Sequence, residues 1–254
     1  MIQVITDLDE WRKHRKGPAF HGHTVGFVPT MGALHEGHMS LVRRCLDEND
    51  ITVVSIFVNP TQFNDPSDLN NYPQTFEQDC QVLDEAGVHY VLAPNYDSLY
   101  PDDFRYRVVE NDFSRKLCGA HRPGHFVGVL TIVLKLLNLV KADRAYFGEK
   151  DHQQLLLIDG MVKAFFLDTE IVPCPIIREP DGLACSSRNL RLTVDERARA
   201  ALFPKLLQSD LPPDKVRTEL EKAGFKVDYV EEIGNRRYGA VHLGKVRLID
   251  NVKI

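Results

Sequence analysis

The stretch Val25-Gly-Phe-Val-Pro29-Thr-Met-Gly-Ala-Leu-His35-Glu-Gly-His38 decides the fold. Val25–Pro29 is a short apolar run ending in Pro-Thr-Met-Gly, which reads as a buried strand running into a loop. A helix is expected from about His38, because Leu41, Val42, Cys45 and Leu46 then share one side at helical spacing. Ile51–Val58 follows as a β-branched run stopped by Asn59-Pro60, a strand buried on both faces as in a parallel sheet. Outward from this unit come a helix over Phe76–Ala86 closed by Gly87 and strands at His89–Ala93 and Phe104–Glu110. A buried helix at Thr131–Val140 and a brief strand at Arg144–Phe147 ending in Gly148 complete the series. The alternation predicts an α/β class, a Rossmann-like open parallel sheet over residues 1–176. Ligands of such sheets bind beyond the carboxyl ends of the strands, so the loops after Val28, Val58 and Phe147 are the places to search.

The texture changes after residue 176. Pro180-Asp-Gly182 marks a turn, Thr193 and Glu196 form a capping box, and Pro212-Pro213-Asp214 opens a helix ending at Gly224. Lys226–Val230 and Ala240–Ile249 alternate as half-buried antiparallel strands do, so residues 177–254 are expected to form a second, smaller α+β domain.

With 43% hydrophobic and 26% charged residues the chain has the composition of an ordinary globular protein. Its net charge of −5 offers no basic face to nucleic acid or an anionic membrane. The start, Met1 to Trp11, lacks the basic region of a secretory signal. The longest apolar stretch, Phe126–Val140, is interrupted by Lys135 and Asn138 and is too short to span a bilayer. Five cysteines without a CxxC pair point to free thiols and a cytoplasmic protein.

Four segments carry candidate chemistry. His35 and His38 sit where a strand-end loop meets a helix N-terminus, whose free N–H groups and positive dipole end suit a phosphate. The histidines can donate to phosphate oxygens and to charge developing during transfer; the alternative is that they are simply loop-exposed. As a zinc motif His35-Glu-Gly-His38 is one residue short of HExxH. In Asn59-Pro-Thr-Gln62, amide groups suit a small polar substrate, or merely complete a polar turn. In Gly148-Glu-Lys-Asp151, Gly148 allows close backbone approach, Lys150 can neutralise phosphate and Asp151 can bond a ribose hydroxyl; the alternative is a solvated helix start. Ser186-Ser-Arg188 offers two hydroxyls and a guanidinium fork as a phosphate clamp, or a helix cap. Gly239 to Lys245 nearly matches a phosphate loop, but Val246 replaces the hydroxyl residue and the stretch alternates like a strand. There is no GxGxxG, and no GxSxG elbow for a hydrolase.

Read in order, VPTMGALHEGH (28–38), FVNPTQF (57–63), RPGHFVGV (122–129), YFGEKDHQQL (146–155), REPDGLACSSRNL (178–190) and RLIDN (247–251) resemble the pantothenate synthetase family. That family belongs to the nucleotidyltransferases with HIGH-type and KMSKS-type signatures. The resemblance implies a Rossmann-like nucleotide- and pantoate-binding domain with a C-terminal lid, usually in a homodimer. It further implies ATP-dependent condensation of pantoate with β-alanine through a pantoyl adenylate, with AMP and diphosphate released. By motif, Met31, Gly32, Ala33, Leu34, His35, Glu36, Gly37 and His38 are implied to wall the ATP site. Gly148, Glu149, Lys150 and Asp151 are implied to line the nucleotide, the Ile177 backbone to meet adenine, and Cys185, Ser186, Ser187 and Arg188 to form the clamp. His38, His35, Lys150 and Arg188 are the implied catalytic set. Gln62 and Gln154 are implied to hold pantoate, Gln62 also to meet β-alanine, and Mg²⁺ to accompany the triphosphate with Asp79 as an indirect contributor. Cys185 stands where the family usually has Met, and the C-terminal domain reads short.

Two other readings compete with this one. A cytidylyltransferase or aminoacyl-tRNA synthetase fragment would keep the signatures, but the Asn59–Gln62 loop and the negative charge oppose a tRNA partner. A nucleotide-binding regulator would show damage at His35, His38, Lys150 or Arg188, all of which are intact.

Overall fold

The computed structural model describes residues 1–254. Nine strands are present: β1 (Gln3–Ile5), β2 (Val25–Thr30), β3 (Ile51–Ile56), β4 (Tyr90–Leu92), β5 (Arg144–Gly148), β6 (Glu170–Cys174), β7 (Lys226–Ile233), β8 (Arg236–Leu243) and β9 (Val246–Lys253). The first six form one parallel sheet in the order β1-β4-β3-β2-β5-β6. From β2 the chain steps outward one way to β3 and β4, and from β5 the other way to β6. The switch point therefore lies between β2 and β5, paired as Gly26–Arg144 and Phe27–Ala145, and a crevice opens beyond their carboxyl ends.

Side-chain alternation sends neighbours to opposite layers. Phe27, Val53 and Ala145 pack with Trp11 and the helices His125–Val140 and His152–Ala164. Val28, Val54 and Tyr146 pack with Leu41, Val42 and Cys45 of helix Glu36–Glu48 and with Leu83 of helix Phe76–Ala86. Helix Glu36–Glu48 lies so close that a Cβ at Gly26 would sit 2.4 Å from Cys45 Sγ. Gly87 ends its helix at φ 88°, in the left-handed region that favours glycine.

Strands β7, β8 and β9 form an antiparallel sheet with two faces. Val230, Val241, Leu248 and Val252 pack on Phe203, Leu207, Val216 and Leu220 in a separate core. Tyr229, Tyr238 and Ala240 belong to the core of the large sheet instead. The expected capping box at Thr193 and Glu196 is present, and the helix opened by Pro213 runs to Lys222.

Three sequence expectations need correction. Phe104–Glu110 is not a strand: Asp103 and Phe104 take positive φ, and the Val108 N–H donates to Thr131 Oγ1 rather than to a strand neighbour. Ala240–Ile249 is not one strand but the end of β8, a turn at Gly244 (φ 56°) and the start of β9. The helix over Thr131–Val140 starts earlier, at His125. No helix is long and apolar enough to cross a membrane.

Candidate active site

Helix Glu36–Glu48 starts with a reciprocal cap made by two histidines. His35 is the N-cap, and its Nδ1 accepts the Gly37 N–H at 3.1 Å. His38 Nδ1 accepts the His35 N–H in a longer contact of 3.4 Å. Assigned from these partners, both rings carry their proton on Nε2, the nitrogen facing away from the cap. The ring centroids are 4.0 Å apart. Only glycine fits between them and the helix start, since a Cβ at Gly37 would lie 2.8 Å from the His35 ring. Burial, then Lys150, lowers the His35 pKa to about 4. Burial, then His35, lowers that of His38 to about 3. Both are neutral N–H donors at pH 7, placed where the helix N-terminus already favours an anion.

The loop that carries them is strained and buttressed. Gly32 and Ala33 take φ of 77° and 51°, costly for alanine. Buried Asp79 holds them: its oxygens accept the N–H groups of Ala33 (2.9 Å) and Leu34 (2.8 Å), and Thr75 Oγ1 at 3.1 Å. Both Asp79 oxygens thus hold the loop. No group of three or more His, Cys, Asp or Glu side chains gathers to hold a metal ion.

Beyond β3, Asn59 is fully buried and acts by orienting Gln62. Its Nδ2 donates to Gln62 Oε1 at 3.0 Å, while its Oδ1 accepts from Thr61 and Tyr100. Gln62 is left with its Nε2 donors towards the cleft, 3.0 Å from Met31 Sδ. The helix His125–Val140 closes on this turn through Gly128, where a Cβ would meet Thr61 O at 2.4 Å. His125 Nδ1 donates to Gln62 O at 2.9 Å, and its Nε2 accepts from Arg122 Nη1 at 3.0 Å. Burial, then Arg122, lowers the His125 pKa to about 3.

After β5, the Asn251 amide donates to the carbonyls of Glu149 (2.8 Å) and Lys150 (3.0 Å), fixing the backbone that presents Lys150. Lys150 Nζ is 3.6 Å from Asp151. Enclosure pushes the Asp151 carboxyl upward, but Lys150, Arg188 and Arg122 outweigh it and hold the pKa down. Helix geometry separates two adjacent amides: Gln153 is buried against the carbonyls of Phe113 and Lys116, and Gln154 lines the cleft.

The third wall comes from the small unit. Ile177 O accepts the Cys185 N–H at 2.9 Å, joining two extended segments around the Gly182 turn. Ser186 Oγ accepts the Arg188 N–H at 3.3 Å, so the triplet is a cap as well as a cleft wall. Burial, then Glu179, raises the Cys185 pKa, which keeps the thiol protonated at neutral pH. Arg188 is ion-paired with Asp68 at 2.8 Å.

These elements enclose a cleft of about 230 Å³. Met31, His35, Gly37, His38, Gln62, Gly148, Lys150, Asp151, Gln154, Ile177 and Cys185–Arg188 all line it. Five residues expected there do not. Gly32 and Ala33 are buried behind the loop, Leu34 packs into the apolar layer, Glu36 faces Arg43, and Glu149 turns to Arg236 at 3.2 Å. Arg122, His125 and Asn251 lie within the RPGHFVGV and RLIDN motifs, yet the sequence alone assigns them no role. Apart from the Arg122–His125 and Arg236–Asn251 bonds, their side-chain partners are 58 to 102 residues away in sequence.

The sequence profile of the pantoate-beta-alanine ligase family matches residues 1–253. The chain is 53% identical to a pantothenate synthetase of Bdellovibrio bacteriovorus, covering 100% of both proteins. It is 51% identical to one of Coxiella burnetii over 99% of this chain and 97% of the relative. The C-terminal unit that reads short is therefore matched by these relatives. Among solved structures, pantoate-beta-alanine ligase from Francisella tularensis, complexed with beta-gamma ATP and beta-alanine, superposes with a TM-score of 0.95. It is 40% identical and the match covers 100% of this chain and 98% of that one. Pantothenate synthetase from Thermus thermophilus superposes with a TM-score of 0.89 at 38% identity, over 99% of each chain. Profile, sequence and structure agree over the whole length, and the chain belongs to the pantoate-beta-alanine ligase family.

Proposed function

We propose that this protein condenses pantoate with β-alanine through a pantoyl adenylate, driven by cleavage of ATP to AMP and diphosphate. One observation carries the reading. Two neutral histidine N–H donors at a helix N-terminus share a cleft with Lys150, the Ser186–Arg188 clamp and the amides of Gln62 and Gln154.

In the first step a pantoate carboxylate oxygen forms a bond to the α-phosphorus of ATP, and the bond from that phosphorus to the bridging oxygen of the diphosphate breaks. The developing charge meets His35 and His38 Nε2–H, Lys150 and Arg188. With its pKa depressed, His38 acts as a hydrogen-bond donor to the leaving diphosphate rather than as a cation. Asp151 faces the ribose, the backbone at Ile177 faces adenine, and Cys185 packs where the family usually has Met. Gln62 and Gln154 hold pantoate. In the second step the uncharged amine of β-alanine, near Gln62, forms a C–N bond to the acyl carbon, the acyl C–O bond breaks, and AMP leaves with its electron pair. The amine proton passes to solvent. A free carboxylate is a poor acylating agent, so adenylation supplies AMP as a good leaving group, and positioning of the reactants supplies most of the rate.

Mg²⁺ enters on the triphosphate, as part of the substrate. The 177–254 unit serves as a lid over the nucleotide. A homodimer is the assembly that the family resemblance implies, and Tyr106 and Val109, 76% and 55% exposed, are apolar side chains available to a second copy. Five free thiols support a cytoplasmic location. AMP release measured with each substrate omitted in turn tests the function: it should require ATP, pantoate and β-alanine together. AMP formed equally well with an unrelated amine would sink the acceptor assignment.

A further inference from the structure

Beside the 230 Å³ cleft lies a larger cavity of about 690 Å³, and the two share Arg122, Lys150, Asp151, Ser186 and Arg188 as walls. Its far side comes from β7, β8, β9 and the turn between the last two, lined by Lys226, Asp228, His242, Lys245 and Arg247. Two arginines to which the condensation chemistry gives no role meet here, Arg122 at the start of RPGHFVGV and Arg247 at the start of RLIDN.

The charges are unevenly satisfied. Seven lysine and arginine side chains line the cavity against five aspartates. Asp68 is taken by Arg188 and Arg191, and Asp250 by Arg178, which lies outside the cavity. Asp228 accepts from Arg247 at 2.8 Å, with His242 at 3.3 Å and His121 at 3.9 Å. Arg247 still has a buried Nη2 with no hydrogen-bond partner. Arg122 has no carboxylate at all: it donates to Asn64, His125 and the Gln62 carbonyl. Lys226 and Lys245 form no ion pair and are exposed at the rim. A polar cavity with surplus guanidinium and ammonium donors is built for a multivalent oxyanion.

We infer that this cavity is a second anion site, which holds inorganic diphosphate after it leaves the nucleotide cleft. The inference rests on the proposed reaction, which releases diphosphate between Lys150 and Arg188, two of the three cations that wall both spaces. Diphosphate moves past Arg188 towards Arg122 and Arg247, with Lys226 and Lys245 at the solvent end. The site clears the clamp for the amine step and sets the strength of product inhibition.

The test uses calorimetric titration of the whole protein with inorganic diphosphate while a non-hydrolysable ATP analogue saturates the nucleotide cleft. Diphosphate should still bind, and Lys226→Gln/Lys245→Gln should weaken it about tenfold, the effect of losing two exposed charge contacts. Both substitutions lie at an exposed rim, and the KM for ATP should stay within about twofold of wild type. Absence of binding once the ATP cleft is filled, or equal binding by the double variant, would overturn the second site. Equal affinity for inorganic phosphate would overturn its assignment to diphosphate. The titration is independent of turnover, so failure of the condensation assay and failure of this site are separately visible.

Discussion

Arg188 Nη2 lies 2.8 Å from Asp68 Oδ2, and Arg191 Nη1 lies 2.6 Å from the other oxygen of the same carboxylate. The arginine proposed to clamp phosphate is thus held by an aspartate 120 residues away. Burial lowers the Arg188 pKa, but the bond to Asp68 outweighs it and raises the value overall. Asp68 is lowered because its two arginines overcome its own burial. A bound phosphate competes with Asp68 for Arg188. Asp68→Asn is therefore expected to lower the KM for ATP by roughly two- to fivefold, the worth of a part-exposed ion pair. The gain should shrink as salt rises. A raised KM in steady-state assays would mean that Asp68 positions the clamp rather than competing with its ligand.

His38 serves the helix cap and the cleft together, and the two roles can be separated. His38→Ala is expected to slow adenylate formation by roughly 10²–10³-fold, the scale of losing one transition-state donor. It should also cost about 1 kcal/mol of stability through the lost cap. His38→Gln can restore the cap, because glutamine at the third helical position bonds the N-cap N–H. Recovery of stability without recovery of rate in paired denaturation and single-turnover measurements is the expected result. A near-normal rate in the alanine variant would remove His38 from the chemistry.

Gln62 is oriented by Asn59, which occupies its Oε1 and leaves Nε2 for ligand. Gln62→Ala should raise the KM for pantoate by up to about tenfold, the upper range for one hydrogen bond, with little change for ATP. Equal effects on both KM values would contradict the pantoate assignment.

Folding favours the neutral forms of His35, His38 and His125, whose pKa values fall to about 4, about 3 and about 3. Below the ordinary histidine value of about 6.5 the unfolded chain binds protons that the native state refuses. Their contribution to stability is therefore complete above about pH 6.5 and is lost as pH falls towards 3–4. Denaturation between pH 6.5 and 4 should show stability decreasing with acid, and His38→Gln should remove up to one proton from the slope. An unchanged slope would mean that His38 is protonated in the native protein.

The parts of the fold that are legible in sequence are those with a strong local signature. β2 and β3 are apolar runs stopped by turn residues, Gly87 marks a helix end, and Thr193 with Glu196 marks a start. The misreadings fall where other partners decide. Arg105 to Glu110 has strand-like composition, yet its backbone bonds to Asp102 and Thr131. Gly244 interrupts an alternation that reads as continuous, because a hairpin keeps inward residues inward on both strands. In the cleft, His35, His38, Gln62, Lys150 and Arg188 are readable from motifs. Asp68, Asp79 and Arg122, which hold or surround them, act across 45 to 120 residues of sequence and carry no local signal.

The central claim is that this cleft makes an acyl adenylate before any amine is present. Exchange of labelled diphosphate into ATP, with pantoate and Mg²⁺ supplied and β-alanine withheld, tests it directly. The account predicts exchange that depends strictly on pantoate and is greatly slowed by His38→Ala. Absence of exchange in a protein that still binds ATP and pantoate, or exchange that proceeds without pantoate, would contradict it.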